Sequence, residues 1–138
     1  MVLRALVETG FILALNPRDR HHKWAIKVLE EVKRGEVELY ISPVAPVELS
    51  LIMRARGHGD EDVCKVLKAT ESIVRRYSKP QYPQLGLGEL AYAAELRMKY
   101  VELAFFDSIH AAVTIANDLT YYDLDEIIKS VVVSEVRR

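Results

Sequence analysis

Short apolar runs of strand length alternate along this chain with amphipathic stretches of helical spacing, and that alternation leaves few architectures open. Strands separated by helices pair in parallel through right-handed crossovers, which lays helices over a sheet. Val2–Val7, mostly apolar although Arg4 interrupts it, and the alternating Val37–Ile41 are predicted as strands. Phe11–Leu15, closed by Asn16-Pro17, reads as a short helix. Trp24, Val28, Leu29 and Val32 recur at helical spacing ahead of Gly35, predicting an amphipathic helix over Asp19–Arg34. Ser42 as N-cap and Pro43 at the first helical position open a helix to about Arg56, and Asp60 caps the next, to about Tyr77. Beyond the Pro80 and Pro83 loop, with a brief strand near Leu85, the pattern predicts helices over Leu90–Tyr100 and Asp107–Asn117. A strand over Leu119–Tyr122, a helical turn over Leu124–Lys129 and a last strand over Val131–Val136 complete an α/β sandwich.

A length of 138 residues, half of them hydrophobic, is expected to build one domain, residues 1–138, around one core. With a formal net charge of −1, the chain is not a generally basic nucleic-acid coat, so any such partner meets a local patch of its 19 Lys and Arg. Cys64 is the lone cysteine, which excludes an intrachain disulfide and a thiolate metal site and fits a cytoplasmic setting. No apolar run has the length of a membrane span, and Met1 leads into Val2-Leu3-Arg4 without the features of a signal peptide. Few Asn and Gln beside many Glu, Lys and Arg resemble the composition of thermophile proteins.

Acidic residues collect where an α/β sheet builds its sites, at the carboxyl ends of strands. Glu8-Thr9 follows the first strand and Asp123 follows Leu119–Tyr122, while Asp107 sits between Ala104-Phe105-Phe106 and Ser108-Ile109. Glu48 interrupts an apolar face of Val44, Val47, Leu51 and Ile52, where a carboxylate is costly unless paired or coordinated. Taken singly, Asp107 and Asp123 read as helix caps and Glu8 as a turn residue. Taken together, four converging carboxylates repel one another unless a hard divalent cation neutralises them, which points to Mg²⁺ or Mn²⁺ rather than zinc.

Three segments carry a family likeness: Val7-Glu8-Thr9-Gly10-Phe11-Ile12-Leu13-Ala14-Leu15-Asn16, then Ser42-Pro43 with Glu48-Leu49, then Phe106-Asp107-Ser108-Ile109-His110-Ala111-Ala112. In this order they resemble the successive motifs of PIN domains, particularly the VapC-type toxin ribonucleases of toxin–antitoxin pairs. The resemblance implies a central parallel sheet of about five strands in the order 3-2-1-4-5. It also implies a metal-dependent endoribonuclease, cytoplasmic and homodimeric, with RNA as substrate and a VapB-like antitoxin as partner. Glu8, Glu48, Asp107 and Asp123 would hold Mg²⁺ or Mn²⁺ and activate water for attack on a phosphodiester, with Thr9 supporting the first position. Two departures stand out: Glu8 replaces the family's usual Asp, and Tyr121-Tyr122 precede Asp123 where the family shows Ser or Thr. Asp125 is an alternative fourth ligand, and a non-cleaving RNA-binding or scaffold module is the alternative function.

Among the remaining residues, Arg18, Arg20, His21, His22 and Lys23 form a basic cluster suited to phosphate, as do Arg54, Arg56 and His58, although a solvated helix face explains either. His110 reads as a hydrogen-bonded core histidine ahead of a ligand, and Tyr121 and Tyr122 as packing residues ahead of base-stacking ones. Phe11, Ile12 and the helix after Ser42 offer apolar surface for a dimer.

Overall fold

A computed structural model describes residues 1–137. Its elements run β1 (Leu3–Val7), α1 (Thr9–Ala14), α2 (His22–Lys33), β2 (Val37–Ile41), α3 (Ala45–Ala55), α4 (Asp60–Arg75), α5 (Leu87–Lys99), α6 (Phe105–Ala116), β3 (Thr120–Tyr121) and α7 (Glu126–Val136). The strands form one parallel sheet in the order β2-β1-β3, with Val7 opposite Ile41 and Ala5 opposite Thr120. Alternation along the strands sends Ala5, Val7, Leu39 and Ile41 into one cluster with α1, α2 and α3, and Leu6 and Tyr121 into another with α5, α6 and α7. In the first cluster Phe11 meets Trp24 edge to face, ring centroids 6.0 Å apart. In the second, α6 is apolar on nearly every side, and Ile109 and Ala111–Val113 are all buried.

The α/β character and parallel pairing hold, but the expected five-stranded sheet and its order 3-2-1-4-5 are corrected: the described residues build three strands. The segment Val131–Val136 is the end of helix α7, because Asp125 caps it by accepting from Ile128 N and because Ile128, Val131 and Val132 make a buried stripe at helical spacing. Its β-branched run imitates a strand. Near Leu85 no strand forms. Ile41 N donates to Gln81 O at 2.9 Å, but Pro80 and Pro83 lack the N–H groups needed to extend that bond into a ladder. Ser42 is not a helix cap either. Helix α3 begins at Ala45 after Val44, with Pro46 in its first turn. No helix is long and apolar enough to cross a membrane among the described residues. Phe11 and Ile12 are buried in the core and leave no surface for a dimer, whereas Val47 and Leu51 on α3 are about half exposed.

Candidate metal centre

Because the strands are parallel, their carboxyl ends lie on one side of the molecule, and the segments leaving them carry Glu8, Ser42 and Asp123. Helix α3 contributes Glu48 and α6 contributes Asp107 and His110. One ligand atom each from Glu8, Glu48 and His110 lies within 4.8 Å of the other two.

Glu48 has a local account as well as a functional one. Its Oε1 accepts from the Thr9 hydroxyl and lies 2.8 Å from His110 Nε2, while His110 Nδ1 lies 2.7 Å from Ser42 Oγ. Burial pushes the Glu48 carboxyl up, and the His110 and Thr9 hydrogen bonds outweigh it, so the group ends below its ordinary value. His110 is the buried, hydrogen-bonded core histidine that its apolar neighbours predict. The Thr9 hydroxyl supports Glu48 rather than Glu8.

Glu8 is the N-cap of α1: Oε1 accepts from Gly10 N at 3.0 Å and Oε2 from the Tyr121 hydroxyl at 2.9 Å. The two departures from the PIN pattern, a longer acid and a tyrosine near the last acid, are therefore in contact. Asp123 is spent on backbone. Its Oδ2 accepts from Glu8 N and Phe11 N, and Oδ1 from Leu124 N at 2.8 Å. This carboxylate fastens the first turn of α1 to the end of β3 and lies outside the Glu8, Glu48 and His110 group.

Asp107 is no cap, since the N-cap of α6 is Ala104 and no side-chain cap bond forms there. Burial raises its pKa first, then the charges of Asp125 and Glu8, with Glu48 a smaller contributor, so Asp107 shares the electrostatic neighbourhood of the other acids. Asp125 is the α7 cap, so its Oδ1 is already committed.

The basic candidates stand apart from this group. Arg18, Arg20 and His21 follow α1, and Arg54 is in the last turn of α3, whereas Glu8 and Glu48 lie at the starts of those helices. Arg20 Nε donates to His21 Nε2 at 3.1 Å, and Arg54 pairs with Asp60 at 2.6 Å; all four candidates are exposed. Sequence reasoning overlooked Ser42 as a partner of His110 and Tyr121 as a partner of Glu8. The only signal for the second was that both departures fall on strand ends that parallel pairing brings together.

The donor set suits a hard cation. A carboxylate has about four lone-pair positions. Glu8 uses two in the bonds above, and no bond from the described residues reaches Glu48 Oε2 or either Asp107 oxygen. Oxygen ligands of one Mg²⁺ at about 2.1 Å stand roughly 3–4 Å apart, so small side-chain movements bring Glu8 and Glu48 into range.

The same electrostatics predict an unusual pH profile in metal-free buffer. Burial, then the Glu8 charge, pushes Asp123 up to about 7 from an unfolded value near 3.8. A raised folded pKa gives stability that is complete below the unfolded value and is lost as pH rises through the folded one. Glu48, lowered, and Glu135, held down to about 2 by Lys99 and then by the Tyr100 hydroxyl, act oppositely and lose their contribution as pH falls below about 4.5. The thermal midpoint with EDTA should therefore peak at about pH 4–5 and drop by roughly 5–10 °C by about pH 7.5. A midpoint that climbs over that interval would show Asp123 ionised throughout.

In sequence comparisons, no family model matches the chain and no curated protein matches it.

Proposed function

We propose that this chain is a metal-dependent endoribonuclease of the PIN type, using Mg²⁺ or Mn²⁺, and the cytoplasmic, homodimeric toxin of a VapBC-like pair with an antitoxin partner. One observation carries the reading: Glu8 and Glu48, with Asp107 in their electrostatic neighbourhood, come from three separate elements to one end of a parallel sheet and retain oxygen positions for a cation. The order of the motifs along the chain supports it. Glu8, Glu48 and Asp107 hold the cation in this proposal, while Asp123 fixes the backbone from which Glu8 projects. When bound, a cation would lower the pKa of a water and offset the negative charge that builds on the phosphoryl oxygens. Thr9 and His110 keep Glu48 oriented, and Tyr121 does the same for Glu8. Arg18, Arg20, His21 and Arg54 are assigned to RNA phosphates farther from the scissile bond.

The experiment is thermal shift with Mn²⁺ followed by incubation with a mixed RNA pool, with EDTA as control. Binding should raise the midpoint by mass action, and cleavage should appear only with the cation. A purified, folded protein free of antitoxin that neither binds Mn²⁺ nor cuts RNA removes the proposal. The second reading, a non-cleaving PIN-fold RNA-binding or scaffold module, is favoured by Asp123, whose carboxylate is occupied by three backbone amides. Mn²⁺ binding without cleavage of any RNA in the pool is its expected outcome.

A further inference from the structure

Of the acids in the centre, Glu48 is held by the group that the chain hides most completely. The His110 ring is fully buried, on α6, and its two nitrogens face different elements: Nδ1 lies 2.7 Å from Ser42 Oγ, just beyond β2, and Nε2 lies 2.8 Å from Glu48 Oε1, on α3. Ser42 is fully buried too. Turning the ring over would replace both nitrogens by carbons and leave buried polar groups without partners, so the cavity admits one orientation. A glutamate has three rotatable side-chain bonds, and one that keeps some exposure, as Glu48 does, ordinarily samples several positions. Here Thr9 and His110 both act on Oε1, and no hydrogen bond from the described residues reaches Oε2.

We propose that His110 is a positioning residue: its Nε2–H, oriented by a Ser42 hydroxyl that donates to Nδ1, fixes Glu48 Oε1 so that Oε2 is presented to the cation. Ser42, His110 and Glu48 thus form a chain running from the buried end of β2 to the centre. For its purpose this inference rests on the cation reading above. His110 is not itself a ligand. Nε2 sits at hydrogen-bond distance from the carboxylate, and giving up that bond would release the acid it holds.

Isothermal titration with MnCl₂ of EDTA-treated, dialysed protein tests the role without reference to activity. His110→Leu, which fills the space without a donor, should weaken Mn²⁺ binding about 10- to 100-fold. His110→Gln, whose amide N–H reaches toward the Nε2 position, should recover most of the loss, and Ser42→Ala should weaken binding less than His110→Leu. Circular dichroism establishes that each variant is folded, and if His110→Leu is not, the Gln and Ser42 variants decide. Wild-type affinity in folded His110→Leu, or in Ser42→Ala when the Leu variant does not fold, overturns the proposal. Nitrogen hyperfine coupling in pulsed EPR of the Mn²⁺-loaded wild type also overturns it, by making His110 a ligand. A metal-free arm separates this inference from its parent: the His110 Nε2–H should give an exchange-protected signal in ¹⁵N-resolved NMR that vanishes in Glu48→Ala. That signal without Mn²⁺ binding by wild type defeats the cation reading and leaves the anchoring of Glu48 standing, whereas its absence defeats the anchoring.

Discussion

Asp107→Asn should lower metal-dependent RNA cleavage by about a hundred- to a thousandfold, the several kcal/mol that a displaced cation supplies to a phosphoryl-transfer barrier. The substitution is nearly isosteric, and no hydrogen bond of the described residues depends on the carboxylate. It is not the cap of α6, a role that belongs to Ala104 without side-chain participation. Burial and the neighbouring charges of Asp125 and Glu8 already disfavour ionisation of Asp107, so removing its charge relieves repulsion and should leave the metal-free protein at least as stable as wild type. Cleavage rates and thermal midpoints of the two purified proteins, with Mn²⁺ and with EDTA, provide the comparison. Equal cleavage would take Asp107 out of the centre, and a clear fall in metal-free stability would reveal a structural role that no hydrogen bond among the described residues indicates.

The largest effect on stability is expected from a residue without a side chain. A Cβ built on Gly10 would stand 2.6 Å from Asp123 Oδ1, closer than real Cβ atoms approach. Asp123 cannot simply turn aside, because its two oxygens accept from Glu8 N, Phe11 N and Leu124 N, and moving it strands buried amides. Gly10→Ala should therefore cost about 2–4 kcal/mol, the range for leaving one or two buried donors unpaired beside a displaced charge. Gly88, in the first turn of α5, is the control, since a Cβ added there would meet nothing within 4 Å: Gly88→Ala should be neutral or stabilise by up to about 1 kcal/mol. Urea denaturation of both variants reads the difference. A Gly10→Ala protein as stable as wild type would mean that the Asp123 clamp yields easily, and the account of α1 as fastened to the end of β3 would fall with it.

How much of the fold is legible in the sequence varies with how local the cause is. The strands β1 and β2 and helices α2, α3, α4 and α6 follow from periodicity within a residue or three of their ends, because a buried stripe must repeat with the pitch of its element. The segment after Asp123 misleads because Ile127, Ile128, Val131, Val132 and Val133 have strand propensity, and only the Asp125 cap and the spacing of Ile128, Val131 and Val132 speak for a helix. Packing of that stripe against α6 and β3 decides the matter. The identity of the caps is also out of reach of the sequence: Asp107 looks like one and is not, whereas Glu8 and Asp125 are.

At the site, the sequence by itself determined which residue types were available and that they fall at strand ends and helix starts. It placed Glu8, Glu48, Asp107 and Asp123 as candidates because acids at strand ends, or within apolar surroundings, demand compensation, an argument that needs only neighbours along the chain. Only the tertiary structure decided what each charge is compensated by. Asp123 turns out to hold backbone amides, Glu48 an imidazole and a hydroxyl, and Glu8 a tyrosine from a strand more than a hundred residues away. The physical reason is that a hydrogen bond is set by positions to within a few tenths of an ångström. Periodicity says which face of a helix is buried, while the contacts between side chains on different elements depend on how those elements pack.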